Sequence, residues 1–267
     1  MIQIKTRAEV EKMRAAGLVV ARALQKLQDA VEPGISTADL DAISAESIRG
    51  DGAVPSFLGY HGFPATICAS INNEIVHGIP SPKRILREGD IVSLDCGAIL
   101  DGWHGDSAVT VPVGAVAPEL TDLMRVTEEA LWRGMAAASL GGRLTDISAE
   151  VEAWVRSQGN YGLVEEYVGH GIGTEMHQDP NVPNYGRPGR GPRLQEGLVL
   201  AVEPMVNLGR RHTRLLDDGW TVETADGAPS AHFEHTFTLL PDGPWVLTAL
   251  DGGTQRFAEL SAGVAAS

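Results

Sequence analysis

The sequence predicts an α+β fold with helices packed on an antiparallel sheet, and three observations carry that expectation. Helical periodicity is confined to four stretches. Strand-like runs lie between and after those stretches without regular alternation, and one two-residue turn joins two of the runs directly. A doubly wound parallel sheet would instead need a helix between successive strands.

The first helix opens at Thr6, where Thr6 and Glu9 form a capping-box pattern, and continues through Val10, Met13, Gly17, Val20, Leu24, Leu27 and Val31 at three- and four-residue spacing. Pro33-Gly34 ends it, and a shorter helix starts near Ser36 or Thr37 and ends by Gly50. Two more helical stretches run from Pro118 to Leu140 and from Thr145 to Gln158, punctuated by Gly141-Gly142 and Gly159. The strand-like runs are Ile91 to Ala98, Ser107 to Val113, Leu198 to Val206 and His232 to Leu240. No Pro- or Ser-rich linker divides the chain, so residues 1–267 read as one domain with short N- and C-terminal tails. Each half offers helices followed by strands ending in acids, which allows an internal pseudo-two-fold.

Composition narrows the function classes. With 267 residues, 43% hydrophobic and 21% charged, the chain can bury a sizeable core without staples. Its longest apolar stretch, Ala108 to Ala117, contains Pro112 and falls far short of the roughly 20 residues of a membrane span. The N-terminus has no secretory pattern, and Cys68 and Cys96 form no disulfide framework, so the expected compartment is the cytoplasm. A formal net charge of −14 argues against a general nucleic-acid or anionic-membrane binder. Two small basic clusters, Lys83-Arg84-Arg87 and Arg210-Arg211-Arg214, read as solvated loops.

Asp101-Gly102 is a strong hairpin signal between the first two strands. If Leu100 pairs with Trp103, Asp95 lies opposite Ala108 and Asp106 is its diagonal neighbour on the same face. That face otherwise carries the small residues Ser93, Gly97, Ala108 and Thr110, while Val92, Leu94, Cys96 and Val109 point the other way. An isolated strand aspartate is usually a solvated edge or turn residue. Two converging carboxylates are different, because they resist ionisation unless a cation lies between them.

Glu203 sits inside the almost continuous apolar strand Leu198–Val206, held extended by Pro204, and burying it uncompensated is costly. A metal ion or a salt bridge to an arginine would answer that cost. In the last run, alternation puts Phe233, Phe237 and Leu239 on one face and Glu234, Thr236 and Thr238 on the other, leaving His235 as a structural residue. His170 lies between Gly169 and Gly171, a pattern that suits a ligand-bearing loop with close backbone approach. His177 lacks the i, i+4 spacing of a helical metal pair with His170, so the two should play different roles, and His77 lies on a separate turn.

These residues fall within a set of ordered motifs: Leu58–Pro64, Val76–Pro80, Leu94–Gly97 through Asp106, Gly169–Gly173, Ala201–Pro204, Gly219–Val222 and Phe233–Thr236. Each is weak alone. In this order and at these spacings, from about Thr6 to Gly243, they closely resemble the bacterial type I methionine aminopeptidases of peptidase family M24. The resemblance implies the pita-bread fold and two divalent ions, Co, Mn, Fe or Zn, held by Asp95, Asp106, His170, Glu203 and Glu234, with Asp106 and Glu234 bridging. It further implies that Glu203 handles the proton of a shared attacking water, that His177 donates to the substrate carbonyl and that His77 contacts the scissile amide. Tyr60, Phe63, Cys68, Met176 and Trp220 become the methionine side-chain pocket, an apolar and sulfur-bearing wall suited to a thioether.

Two positions depart from many relatives: Phe57, where cysteine is frequent, and Met176, where an aromatic is common. The implied substrates are nascent polypeptides and peptides with N-terminal methionine, met by a monomer with room for a transient ribosome contact. Two rivals share the fold: proline-directed peptidases of the aminopeptidase P or prolidase type, which carry an extra N-terminal domain, and non-catalytic binding proteins, which lose ligands. All five ligand positions are filled here.

Overall fold

The computed structural model describes residues 2–265, with helices α1 (Arg7–Ala30), α2 (Thr37–Gly50), α3 (Pro118–Ala137), α4 (Leu144–Gln158) and α5 (Thr254–Ala265). The capping box at α1 forms as expected. The Thr6 hydroxyl accepts from the Glu9 N–H while the Glu9 carboxylate accepts from the Thr6 N–H at 2.7 Å. Ser36, rather than Thr37, caps α2 through a reciprocal pair with Asp39, each bond 3.1 Å. Helix α3 ends at Ala137, short of the expected Leu140, because Ala138 turns extended and the Gly141 N–H is taken by the Leu194 carbonyl at 2.8 Å. The segment read as a C-terminal tail contains α5, whose Phe257 ring packs edge-on to Trp132 of α3 at 5.4 Å. Its one-sided polarity was too short to stand out by periodicity.

A nine-stranded antiparallel sheet forms the centre. Its main path runs Val54–Pro55, Ile91–Leu100, Trp103–Pro112, Glu234–Leu240, Val199–Val202, Gly169–Gly171, Gln178–Val182, with Ile67–Ile71 also pairing with Ile91–Leu100 and Gly243–Val246 with Glu234–Leu240. Helices α1 and α2 cover the hairpin, burying Val20, Leu27, Leu40 and Ile48 against Val92, Leu94 and Cys96. Helices α3 and α4 cover the other half, burying Leu131, Ile147 and Val151 against Leu200, Val202 and Phe237. The pseudo-two-fold is visible in this plan: a helix pair and a pair of central strands from each half, meeting where Trp103–Pro112 pairs with Glu234–Leu240. Apolar residues point to the helices, so the opposite face is left to polar and small residues.

Gly17 on α1 explains itself here. A Cβ on Gly17 would lie 2.3 Å from the Leu247 carbonyl oxygen, and one on Gly105 would lie 2.8 Å from the Gly17 Cα. The helix crosses the sheet by backbone contact at this point, which offsets the roughly 1 kcal/mol a mid-helix glycine costs.

Two expected strands are broken. Leu198–Val206 divides into Val199–Val202 in the large sheet and Met205–Asn207 in a three-stranded sheet, and His232–Leu240 divides into Ser230–His232 in the small sheet and Glu234–Leu240 in the large one. Pro204 has no N–H to continue the ladder, and the chain changes sheets there. Both breaks fall beside an acid, Glu203 and Glu234. The basic clusters are also less free than expected: Arg84 ion-pairs with Glu74 and donates to the Ile79 carbonyl at 2.9 Å, bracing the turn that carries His77. Among the described residues no helix is long and apolar enough to cross a membrane.

Candidate metal centre and substrate pocket

The hairpin sets the first two acids as its turn predicts. Asp101 and Gly102 have φ of 50° and 80°, the left-handed values a type I′ turn needs. Leu100 pairs with Trp103, Asp95 with Ala108 and Gly97 with Asp106, so Asp95 and Asp106 are diagonal neighbours on the face away from α1 and α2. On its other edge Ala108 pairs with Glu234, and Asp95 pairs with Cys68 of Ile67–Ile71. One row across four strands therefore reads Cys68, Asp95, Ala108, Glu234. The small Ala108 keeps the carboxylates on either side of it clear. Glu203 follows Val202, whose partner is His235, so the next step of that ladder brings Glu203 to Glu234.

His170 does not lie on a loop. It occupies the short strand Gly169–Gly171, where it pairs with Ala201. The flanking glycines serve the crowding between strands: a Cβ on Gly169 would sit 2.3 Å from the Ala201 carbonyl oxygen and one on Gly171 2.2 Å from that of Asp179. Its Nδ1 stands 2.9 Å from the Gly171 carbonyl oxygen, which can only accept, so Nδ1 carries the proton and Nε2 presents a lone pair. That Nε2 lies 3.5 Å from Glu203 Oε1 and 3.9 Å from Asp106 Oδ2. Donor atoms of Asp106, His170 and Glu234 all fall within 4.8 Å of one another, and the Asp95 carboxyl is within hydrogen-bonding reach of Asp106.

Electrostatics identify what the cluster suits. Burial pushes the Asp95 carboxyl up to about 7. Burial first, and then the neighbouring acids, push Asp106, Glu203 and Glu234 well above the ordinary carboxylate range. Asp95 Oδ1, Asp106 Oδ1 and Glu234 Oε1 are buried without a hydrogen-bond partner. Burial also holds His170 down at about 3, leaving it a neutral donor. Four crowded carboxyls, three of them with an orphaned oxygen, and a lone pair aimed among them fit divalent cations, whose charge removes the reason for the acids to stay protonated.

The centre floors a cavity of about 460 Å³. His77, His177 and all of Tyr60, Phe63, Cys68, Met176 and Trp220 line it. Phe63, Cys68 and Met176 pack with Phe57 and Ala65 as one apolar cluster, and the Phe63 and Trp220 rings meet edge-on at 5.1 Å. Burial beside Asp95 raises the Cys68 thiol well above its usual range, so it packs as a neutral side chain. His177 Nδ1 is 2.8 Å from the Tyr60 hydroxyl, and its ring centroid is 4.3 Å from that of His170. His77 holds a left-handed backbone, φ 61°, with its ring edge-on to Tyr167 at 5.8 Å, and burial lowers it to about 4.

Sequence reading gave no individual role to five cavity residues: His61, Val76, Tyr167, Val168 and His232. Tyr167 and Val168 lie on a loop with no periodic signal. His232 was legible, since it stands two positions before Glu234 and alternation puts both on one face. His235, read as structural, is: it faces away, with Nδ1 2.9 Å from the Thr248 hydroxyl and its ring against Trp132.

Residues 11–240 match the family model described as metallopeptidase family M24. The chain is 52% identical to the methionine aminopeptidase of Clostridium acetobutylicum over 93% of its own length and 99% of that protein's. It is also 52% identical to methionine aminopeptidase 1 of Mycobacterium tuberculosis, over 91% and 94% of the two chains. The crystal structure of methionine aminopeptidase from Thermotoga maritima superposes with a TM-score of 0.91 at 42% identity, covering 93% of this chain and all of that one. By its motifs, its sheet and these relatives, the chain belongs to metallopeptidase family M24 and, within it, to the methionine aminopeptidases.

Proposed function

We propose that the chain, acting as one catalytic domain, removes the N-terminal methionine of nascent polypeptides and peptides when the second residue is small. The observation that carries this reading is the row of buried, unpartnered carboxylate oxygens facing a neutral His170 in the same cavity as an apolar, sulfur-bearing pocket wall. Asp95, Asp106, His170, Glu203 and Glu234 would hold two divalent ions, Asp106 and Glu234 shared between them, and the donor set suits Mn²⁺, Fe²⁺, Co²⁺ or Zn²⁺. When bound, such ions polarise a carbonyl and make water a nucleophile at neutral pH.

The residues divide the remaining work. Phe63, Cys68, Met176 and Trp220 enclose the methionine side chain and exclude water from it. Glu203, on the cavity floor with Oε1 3.5 Å from His170 Nε2, accepts the proton released by water. His177 donates to the substrate carbonyl oxygen from Nε2. That role requires Nδ1 to be unprotonated, so the Tyr60 hydroxyl donates to Nδ1 and fixes the tautomer. His77, held neutral on its strained turn, contacts the scissile amide. The setting is the cytoplasm.

The test is hydrolysis of Met-Ala-Ser against an Ala-Pro peptide and a non-methionine control, using metal-free protein refilled with each ion in turn. Turnover of Met-Ala-Ser alone is the expected result. Preference for the Ala-Pro peptide would move the chain to the proline-directed rivals and overturn the reading.

A further inference from the structure

We infer that His232 is a second imidazole donor of the metal centre, beside the five ligands named above. The inference rests on reading the centre as a metal site and extends its donor set. His232 is 2% exposed, lines the cavity, and its Nε2 has no hydrogen-bond partner. Its backbone is clamped: the N–H donates to the Thr110 hydroxyl and the carbonyl accepts from it, both at 2.8 Å. The clamp fixes the ring on the same face as Glu234.

Distances separate a ligand from a packing residue. His232 Nε2 stands 4.0 Å from Glu203 Oε2 and 3.9 Å from Glu234 Oε2. These gaps are too long for direct hydrogen bonds. They match those of His170, whose Nε2 is 3.5 Å from Glu203 Oε1 and 3.9 Å from Asp106 Oδ2. With metal–nitrogen and metal–oxygen bonds near 2.0–2.2 Å, two donors on one ion lie roughly 3–4 Å apart. Glu203 thus offers one oxygen to each imidazole. A buried ring nitrogen left unpaired is costly, and coordination removes that cost.

A second nitrogen donor should also tilt the centre from Mn²⁺ toward Co²⁺ and Zn²⁺. Proton NMR of the full chain loaded with Co²⁺ counts ligating imidazoles by their far-shifted, exchangeable ring N–H signals. Two such signals are expected from the unmodified protein, and His232→Gln should lose one of them. The same variant should bind Co²⁺ about tenfold or more weakly, with a smaller loss for Mn²⁺. One signal from the unmodified protein overturns the inference without need of any variant, as does an unchanged spectrum in a folded His232→Gln protein. Failure of Co²⁺ to bind at all would instead overturn the reading of the centre as a metal site, and this inference with it.

Discussion

The two halves of the molecule deliver their acids by different means. In the N-terminal half, Asp95 and Asp106 stand on an unbroken hairpin, ten residues on each strand, whose register follows from one turn. In the C-terminal half, Glu203 and Glu234 stand where strands stop and the chain passes from one sheet to another. The hairpin face is set by local geometry, so it needs no other element to bring its two carboxylates together. The second pair depends on long-range pairing and brings a histidine with it on each side, His170 and His232. A pre-set half thus meets a half assembled by folding.

The comparison can be broken most severely from the hairpin side. Asp106→Ala removes a group through which both halves touch, and should abolish metal binding and lower turnover by about a thousandfold or more. Retained two-metal stoichiometry by elemental analysis would contradict its bridging role. His177→Ala tests whether the C-terminal half also acts on substrate: metal content should stay near normal while kcat falls about 10²–10³-fold. Full activity in that variant would remove His177 from the reaction.

Smaller effects sharpen the contrast. Pro204→Ala permits the broken strand to continue and should loosen Glu203, lowering metal affinity about tenfold with little change in Tm. Gly102→Val forces a β-branched residue into left-handed backbone, so it should cost about 1–2 kcal/mol of stability while the metal content of the folded protein holds. If Gly102→Val emptied the centre and Pro204→Ala did not, the division between the halves would be wrong.

Stability against pH gives a further check, and the sign differs for the two residue types. Asp95, raised to about 7 from an unfolded value near 4, contributes stability below the lower value and loses it as pH climbs through the upper one. His77, His104 and His235, each lowered to about 4, contribute above pH ~6.5 and lose it as pH falls toward 4. Metal-free protein should therefore weaken on both sides of mildly acidic pH. Divalent ions require ionised acids, so the gain in Tm on adding Mn²⁺ should be larger at pH 8 than at pH 5. Thermal melts with and without the ion measure it, and an equal gain at both values would mean the acids are already ionised without metal.

The amino-acid sequence alone determined the capped helices, the hairpin and the convergence of Asp95 with Asp106. Each of these rests on interactions a few residues apart: Thr6 with Glu9, Ser36 with Asp39, Leu100 with Trp103 across a two-residue turn. Residues from several of the ordered motifs also meet, since Tyr60, Phe63, Cys68, Met176 and Trp220 line one cavity. Tertiary structure decided what local order cannot encode. Pairing with Ala201 made a strand of His170, the change of sheet at Pro204 set Glu203 beside Glu234, and the Thr110 clamp turned His232 into the site. Those contacts join segments 31 to 122 residues apart, and a strand's partner depends on which face the whole core buries, which no short window of sequence records.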